Sequence, residues 1–169
     1  DNPVPRLSWR MEDGRQGAGQ TSWRIVVDED SLNVVNGCGR MWDSGKNDSR
    51  NLLVAYAGKK LQPFTRYYWK VICSDMEYKE TASPVSYFET GMMGMQHWQG
   101  AWIGDGKDIH YGPAPYFRKE FKTGKKVKSA RAYIAAAGLY ELYINGEKIG
   151  DHCLAPLYTR FDRRNLYVA

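Results

Sequence analysis

Paired carboxyl groups across one scissile bond would serve as general acid and base, and the acids are therefore the first residues to weigh. Asp105 and Asp108 stand on a glycine-rich loop, and Glu141 and Asp151 flank a hairpin. None is embedded in a catalytic motif, so all four read as solvated turn acids and no catalytic residue is assigned. His97, His110 and His152 lack the i, i+4 spacing of a helical metal site. Cys38, Cys73 and Cys153 form no C-x-x-C pair, and an odd number of cysteines encodes neither a disulfide framework nor a zinc ribbon. No metal is expected. Gly104-Asp105-Gly106 begins like a dinucleotide fingerprint but carries Ile109 where the third glycine belongs, and no Walker sequence occurs, so no cofactor is expected either. The one positive signal is aromatic: Trp98, Trp102, Tyr111 and Tyr116 crowd a short stretch. Aromatic faces fill cores and interdomain contacts, and they also stack on the apolar C–H faces of sugars, which makes these four the candidate carbohydrate-binding residues.

The elements that must position such residues are bounded by length and composition. A chain of 169 residues holds one large or two small domains. Its 14% aromatic content is foreign to disordered chains. Its longest apolar stretches, such as Ile134 to Gly138, fall far short of the ~18 to 20 residues that cross a bilayer, so no membrane insertion is expected. The chain opens at Asp1 instead of Met, as a processed product or an excised piece would. Lys and Arg outnumber Asp and Glu by 24 to 19. The densest basic stretch, Lys119, Lys122, Lys125, Lys126, Lys128 and Arg131, reads as a solvated loop and strand face, and no nucleic-acid partner is expected.

Seven prolines, 17 glycines and short alternating runs predict an all-β chain. Strands are expected around Leu7 to Met11, Ser22 to Asp28, Met41 to Ser44, Leu52 to Tyr56, Arg66 to Ser74 and Val85 to Thr90, a spacing that suits a seven-strand sandwich. In the Arg66 strand, Tyr67, Trp69, Val71 and Cys73 face one way and Arg66, Tyr68, Lys70 and Ser74 the other. In the Ser22 strand, Trp23, Ile25 and Val27 are assigned to the core, opposite Ser22, Arg24 and Val26. Leu61-Gln62-Pro63-Phe64-Thr65-Arg66-Tyr67 has the L-x-P-x-T-x-Y form of a tyrosine corner, in which the phenol hydrogen-bonds the backbone a few residues upstream. Tyr67, Trp23 and Trp69 are therefore read as structural.

A Met- and Gly-rich joint at Met92 to Gln96 places the domain boundary near Gly94, giving domains 1–93 and 94–169. Beyond it, strands are expected at Ala101 to Ile103, Tyr116 to Lys122, Ser129 to Ala136, Leu139 to Ile144 and Leu166 to Val168. Asn145-Gly146 is the strongest two-residue hairpin signal in the chain, because both central positions need positive φ. It sets Ile144 opposite Glu147, Tyr143 opposite Lys148 and Leu142 opposite Ile149. Leu142, Ile144 and Ile149 then share the buried side, and Glu141 meets Lys148 on the wet one. The composition of Ala130 to Ala137 favours helix, but its alternation of Ala132, Ile134 and Ala136 with Arg131, Tyr133 and Ala135 predicts a strand.

A family resemblance rests on an ordered series of motifs. Pro5-Arg6-Leu7-Ser8-Trp9, Gln20-Thr21-Ser22-Trp23, Trp42-Asp43-Ser44-Gly45, Tyr56-Ala57-Gly58, the Leu61 to Val71 run and Phe88-Glu89-Thr90-Gly91 resemble the leading fibronectin-like domain of bacterial α-L-rhamnosidases. Ala114 to Phe121, Ala137 to Asp151 and Leu154-Ala155-Pro156 resemble the β-sandwich that follows it there. The resemblance implies a fibronectin-III or immunoglobulin-like sandwich followed by a partial jelly-roll, galactose-binding-like sandwich. It further implies the non-catalytic N-terminal segment of an inverting glycoside hydrolase that removes terminal α-L-rhamnose. The catalytic carboxylates would lie in a downstream catalytic domain of the same polypeptide, the expected partner, with rhamnose-containing carbohydrate as the second. A periplasmic or extracellular place is favoured over a cytoplasmic one. The competing reading is a cell-surface adhesion or receptor module, since such sandwiches serve as interaction domains in many settings.

Overall fold

A computed structural model describes residues 2–108, 110 and 112–169. The chain divides into two compact units, residues 1–101 and 102–169. Among the described residues no helix is long and apolar enough to cross a membrane.

The described residues of the first unit carry seven strands in two sheets. β1 (Arg6–Ser8) pairs with β4 (Leu53–Ala55). The larger sheet has the order β3 (Trp42–Asp43), β2 (Gln20–Asp28), β5 (Arg66–Asp75), β6 (Glu80–Ala82), with β7 (Ser86–Glu89) paired to the other half of β5. The period-2 alternation of β2 and β5 sends Trp23, Ile25, Val27, Tyr67, Val71 and Cys73 into one core with Leu7, Tyr56 and Leu61, and Trp69 packs against it. The indole N–H of Trp23 is buried with no hydrogen-bond partner among the described residues. β6 was not expected, because Glu80-Thr81-Ala82 is fully exposed and has no apolar alternation to reveal it.

The face opposite the core is itself partly buried. Val26 is fully buried, and Ser22 and Ser74 are buried as well. A short helix α1 (Ser31–Val35), unforeseen because five residues are too few for periodicity, packs on β2 and β5 and buries Val34. Asp30 caps it, its carboxylate accepting from Leu32 N–H at 2.9 Å. Lys70, on the strand face turned away from Tyr67, donates from Nζ to the Val35 carbonyl at 2.8 Å, an acceptor left free at the helix C-terminus. Asp28 ties this layer together: its carboxylate accepts from Asp30 N–H at 2.9 Å, Asn33 Nδ2 at 3.1 Å and Arg40 N–H at 2.9 Å.

The tyrosine corner is formed. Tyr67 is fully buried and its phenol oxygen accepts from Gln62 N–H at 2.8 Å. Thr90, at the end of the motif series, adds a second tie to the same residue: its hydroxyl donates to Gln62 O at 2.6 Å and accepts from Thr65 N–H at 2.9 Å. Between them Phe64 sits at φ 56°, a rare backbone state for a bulky residue, with its N–H donating to Gly91 O at 2.9 Å. Gly58 is required by close approach, because a Cβ there would collide with Met41 O and Trp42 Cβ.

The second unit is also β, its described residues forming two pairs of two-residue strands. β8 (Ile134–Ala135) pairs with β11 (Tyr167–Val168), so the Ala130 to Ala137 stretch is extended at its centre and not helical. β9 (Tyr143–Ile144) and β10 (Glu147–Lys148) form the expected hairpin in the expected register, with Asn145 at φ 53° and Gly146 at φ 89°. Ile149 N–H donates to Leu142 O at 2.8 Å, and Lys148 Nζ meets Glu141 Oε1 at 2.5 Å. Two expectations fail. Ala101 to Ile103 and Tyr116 to Lys122 form no strand, and the side assigned to the core is open, with Ile144 and Ile149 exposed. The paired ribbons here carry no facing layer among the described residues, so one side of the hairpin stays open, and Tyr116 to Lys122 finds no paired neighbour among them.

Candidate functional site

The four acids weighed in the sequence and read as solvated turn acids are placed as charge partners and turn formers. Asp105 accepts from Lys107 N–H at 3.1 Å, and Asp108 from His110 N–H at 2.8 Å, each closing a local Asx turn. Glu141 accepts from Lys148 Nζ and, at 2.7 Å, from Tyr143 Oη–H. The Lys148 ammonium first, and then the Tyr143 hydroxyl, hold the Glu141 carboxyl below its ordinary range. That is the reverse of what a general acid needs, since proton donation near neutral pH calls for a raised carboxyl pKa. Asp151 is exposed.

The nucleophile and metal classes fare the same way. Cys73 is buried in the first unit, donates to Gln20 Oε1 at 3.0 Å, and is pushed by burial up to about 11, so at neutral pH it is a protonated core thiol. Cys38 and Cys153 are exposed and unbridged. Among the described residues no three His, Cys, Asp or Glu side chains gather as a metal-binding group would require. Gln20, missed by pattern reading, is the polar hub of this region: Oε1 also accepts from Trp9 Nε1 at 2.8 Å, and Nε2 donates to Ser49 O at 3.0 Å.

The aromatic candidates differ in setting. Trp98 is half-buried just after a 3-10 turn, Met95–His97, its backbone N–H donating to Met95 O at 3.0 Å. Its indole lies along Gly100, where a Cβ would come 3.2 Å from Nε1. Trp102 is 64% exposed and Tyr116 99% exposed, so both rings have faces free to stack. Trp98 belongs to the first unit, Trp102 and Tyr116 to the second. Tyr111 lies outside the described residues. Of the residues read as structural, Tyr67 and Trp23 lie in the core, Trp69 packs against it, and Asn145 and Gly146 form the turn.

Comparison with known proteins supplies the family. Residues 1–94 match the Rha78A-like N-terminal immunoglobulin domain, and residues 125–169 match the α-L-rhamnosidase N-terminal domain. An α-L-rhamnosidase of Formosa agariphila is 31% identical over 99% of this chain and 20% of its own length. One from Alteromonas sp. is 28% identical over 95% of this chain and 19% of its own. The solved α-L-rhamnosidase from Dictyoglumus thermophilum superposes with a TM-score of 0.81 at 38% identity, over 91% of this chain and 19% of that one. The Streptomyces avermitilis α-L-rhamnosidase complexed with L-rhamnose gives a TM-score of 0.58 at 37% identity, over 62% of this chain and 10% of that one. The chain thus spans about a fifth of the length of the curated relatives it matches. The motif series, the tyrosine corner and the two matched domains agree, and the chain belongs to the family of Rha78A-like N-terminal immunoglobulin domains, continued by α-L-rhamnosidase N-terminal domain sequence.

Proposed function

We propose that the chain is the non-catalytic N-terminal part of an α-L-rhamnosidase, with a first module over residues 1–93 and a second over 94–169. Its role is to scaffold a catalytic domain carried by the same polypeptide. The observation that supports this reading best is the pattern of coverage: nearly the whole chain aligns, yet it accounts for only 20% of a relative named α-L-rhamnosidase. Glu141, whose carboxyl Lys148 holds below its ordinary range, is poorly suited to serve as the general acid. The chain alone is expected to release nothing above background from an aryl α-L-rhamnoside, while the product of the whole gene hydrolyses it. Turnover by the chain alone that vanishes in Asp105→Ala or Glu141→Ala would overturn the proposal.

The same reading gives the exposed aromatics a part. The exposed Trp102 and Tyr116 of the second unit offer low-affinity stacking faces to rhamnose-containing carbohydrate, without a cofactor, and Trp98 of the first unit and Tyr111 are further candidates on sequence grounds alone. Titration with rhamnose and rhamnose-containing oligosaccharides, followed by Trp fluorescence, is expected to give a millimolar dissociation constant that Trp102→Ala and Tyr116→Ala weaken further. Tight binding insensitive to all four residues would remove the site.

A further inference from the structure

Backbone strain in the first unit gathers on one contact. Two bulky residues far apart in sequence, Phe64 and Met93, both hold φ 56°, a left-handed state that side chains of their size rarely adopt. The fold brings their segments together: Phe64 N–H donates to Gly91 O at 2.9 Å, and Thr90 N–H to Thr65 O at 3.0 Å. Met92 is then buried, and Met93 packs against the core. From there the chain reverses. Gly94 stands at φ 150°, where a Cβ would collide with the Gln96 side chain, and the 3-10 turn follows. In it His97 N–H donates to Gly94 O at 3.3 Å and Trp98 N–H to Met95 O at 3.0 Å. The reversal returns the His97 ring to Phe64, edge to face at 79° with centroids 5.9 Å apart. This Met- and Gly-rich stretch is held at its start by backbone bonds, in its middle by burial and at its end by a ring.

We infer that residues 91–98 are a strap fastened across the tyrosine corner, with Phe64 as its clasp, so that the chain leaves the first unit along a fixed course and not through a swivel. Backbone strain persists only where the surrounding contacts over-determine it, and it collects at clamps and switch regions. Glycine would hold φ 56° at position 64 without steric cost, and would donate the same N–H to Gly91 O. A phenylalanine kept there against that cost is accounted for by its ring, which reaches His97. Edge-to-face rings at this separation attract beyond the area they bury. The strap is a layer on the sandwich and not part of its sheets, because β5 and β7 pair as far as Arg66 and Glu89 and the strap begins beyond them. It can therefore open without unfolding the core. The inference concerns the first unit alone and does not rest on the rhamnosidase reading.

Amide hydrogen exchange of the full chain, read residue by residue by NMR, tests this. The His97 and Trp98 amides are expected to exchange at least about ten-fold more slowly than in an unstructured chain. Phe64→Ala, which loses the ring and keeps a Cβ, is expected to cut that protection at least about five-fold and to change the amides of β2 and β5 less than about two-fold. His97→Ala is expected to do the same at Trp98. Phe64→Gly removes strain and ring together, and is expected to loosen the strap as Phe64→Ala does. Tyr78→Ala is the control: Tyr78 has the same backbone state, φ 61°, at an exposed turn, and losing its ring is expected to leave the strap unchanged. Unprotected His97 and Trp98 amides in the wild type, or wild-type protection in Phe64→Gly, would overturn the clasp. An equal loss in Tyr78→Ala would overturn it too. If Phe64→Ala loosens the core as well, His97→Ala decides, because His97 lies outside the seven strands, and unchanged protection at Trp98 there removes the clasp. None of these results bears on rhamnoside hydrolysis by the whole gene product, so this inference and the proposed function fail separately.

Discussion

The Asp28→Asn variant is expected to lose about 2 to 3 kcal/mol of folding stability in the first unit at pH 7, and less at pH 3. Asp28 is 3% exposed, and its two oxygens accept three hydrogen bonds, two of them from the backbone N–H groups of Asp30 and Arg40. An asparagine of the same shape offers one acceptor oxygen and turns an amide donor toward a buried N–H, leaving that group unsatisfied. Burial pushes the Asp28 carboxyl up, but the hydrogen bonds from Asp30, Arg40 and Asn33 outweigh it and hold the group below its ordinary value of 3.8. A carboxyl depressed in the folded state contributes stability that is present above its unfolded pKa and lost as pH falls through the folded value. The wild type therefore surrenders this contribution in acid, whereas asparagine never had it, and the two proteins converge. Urea unfolding followed by Trp fluorescence at pH 7 and pH 3 reads the difference. A gap that stays constant between the two pH values would show that the ionised form of Asp28 is not what organises the α1 layer.

Tyr67→Phe is expected to destabilise the first unit by about 0.5 to 3 kcal/mol, while Lys60→Ala, at an exposed position just upstream, stays within about 0.5 kcal/mol. The ring keeps its place in the core, so the loss isolates the hydroxyl that accepts from Gln62 N–H. Thr90→Val removes the neighbouring hydroxyl, which holds the carbonyl of the same residue and the N–H of Thr65. Because both side chains fasten Gln62, the double variant is expected to cost at least about 0.5 kcal/mol less than the sum of the single losses. Once either tie is cut the loop relaxes, and the second has less to hold. Thermal or urea unfolding of the four proteins completes the cycle. Strict additivity, or a Tyr67→Phe loss no larger than that of Lys60→Ala, would mean that the corner is held by packing alone.

The parts of the molecule legible in its residues are those set by local rules. Alternation placed Trp23, Ile25, Val27, Tyr67, Val71 and Cys73 in the core, because side chains of a paired strand have no choice but to point to opposite faces. The L-x-P-x-T-x-Y run placed the corner. Asn145-Gly146 set the hairpin register, because few dipeptides tolerate positive φ at both positions. The motif series was enough to reach the family and the two matched domains.

What lay beyond the sequence depends on groups far apart in the chain. Thr90 joins the corner across 28 residues, and Gln20 reaches Cys73 across 53. No spacing rule connects such pairs before the strands that carry them are aligned. Lys70 looked like a wet-face lysine until α1 was laid across β5 and offered it the Val35 carbonyl. In the second unit alternation predicted more strand and more burial than is found, since a pattern states which face could be buried and only a facing layer buries it.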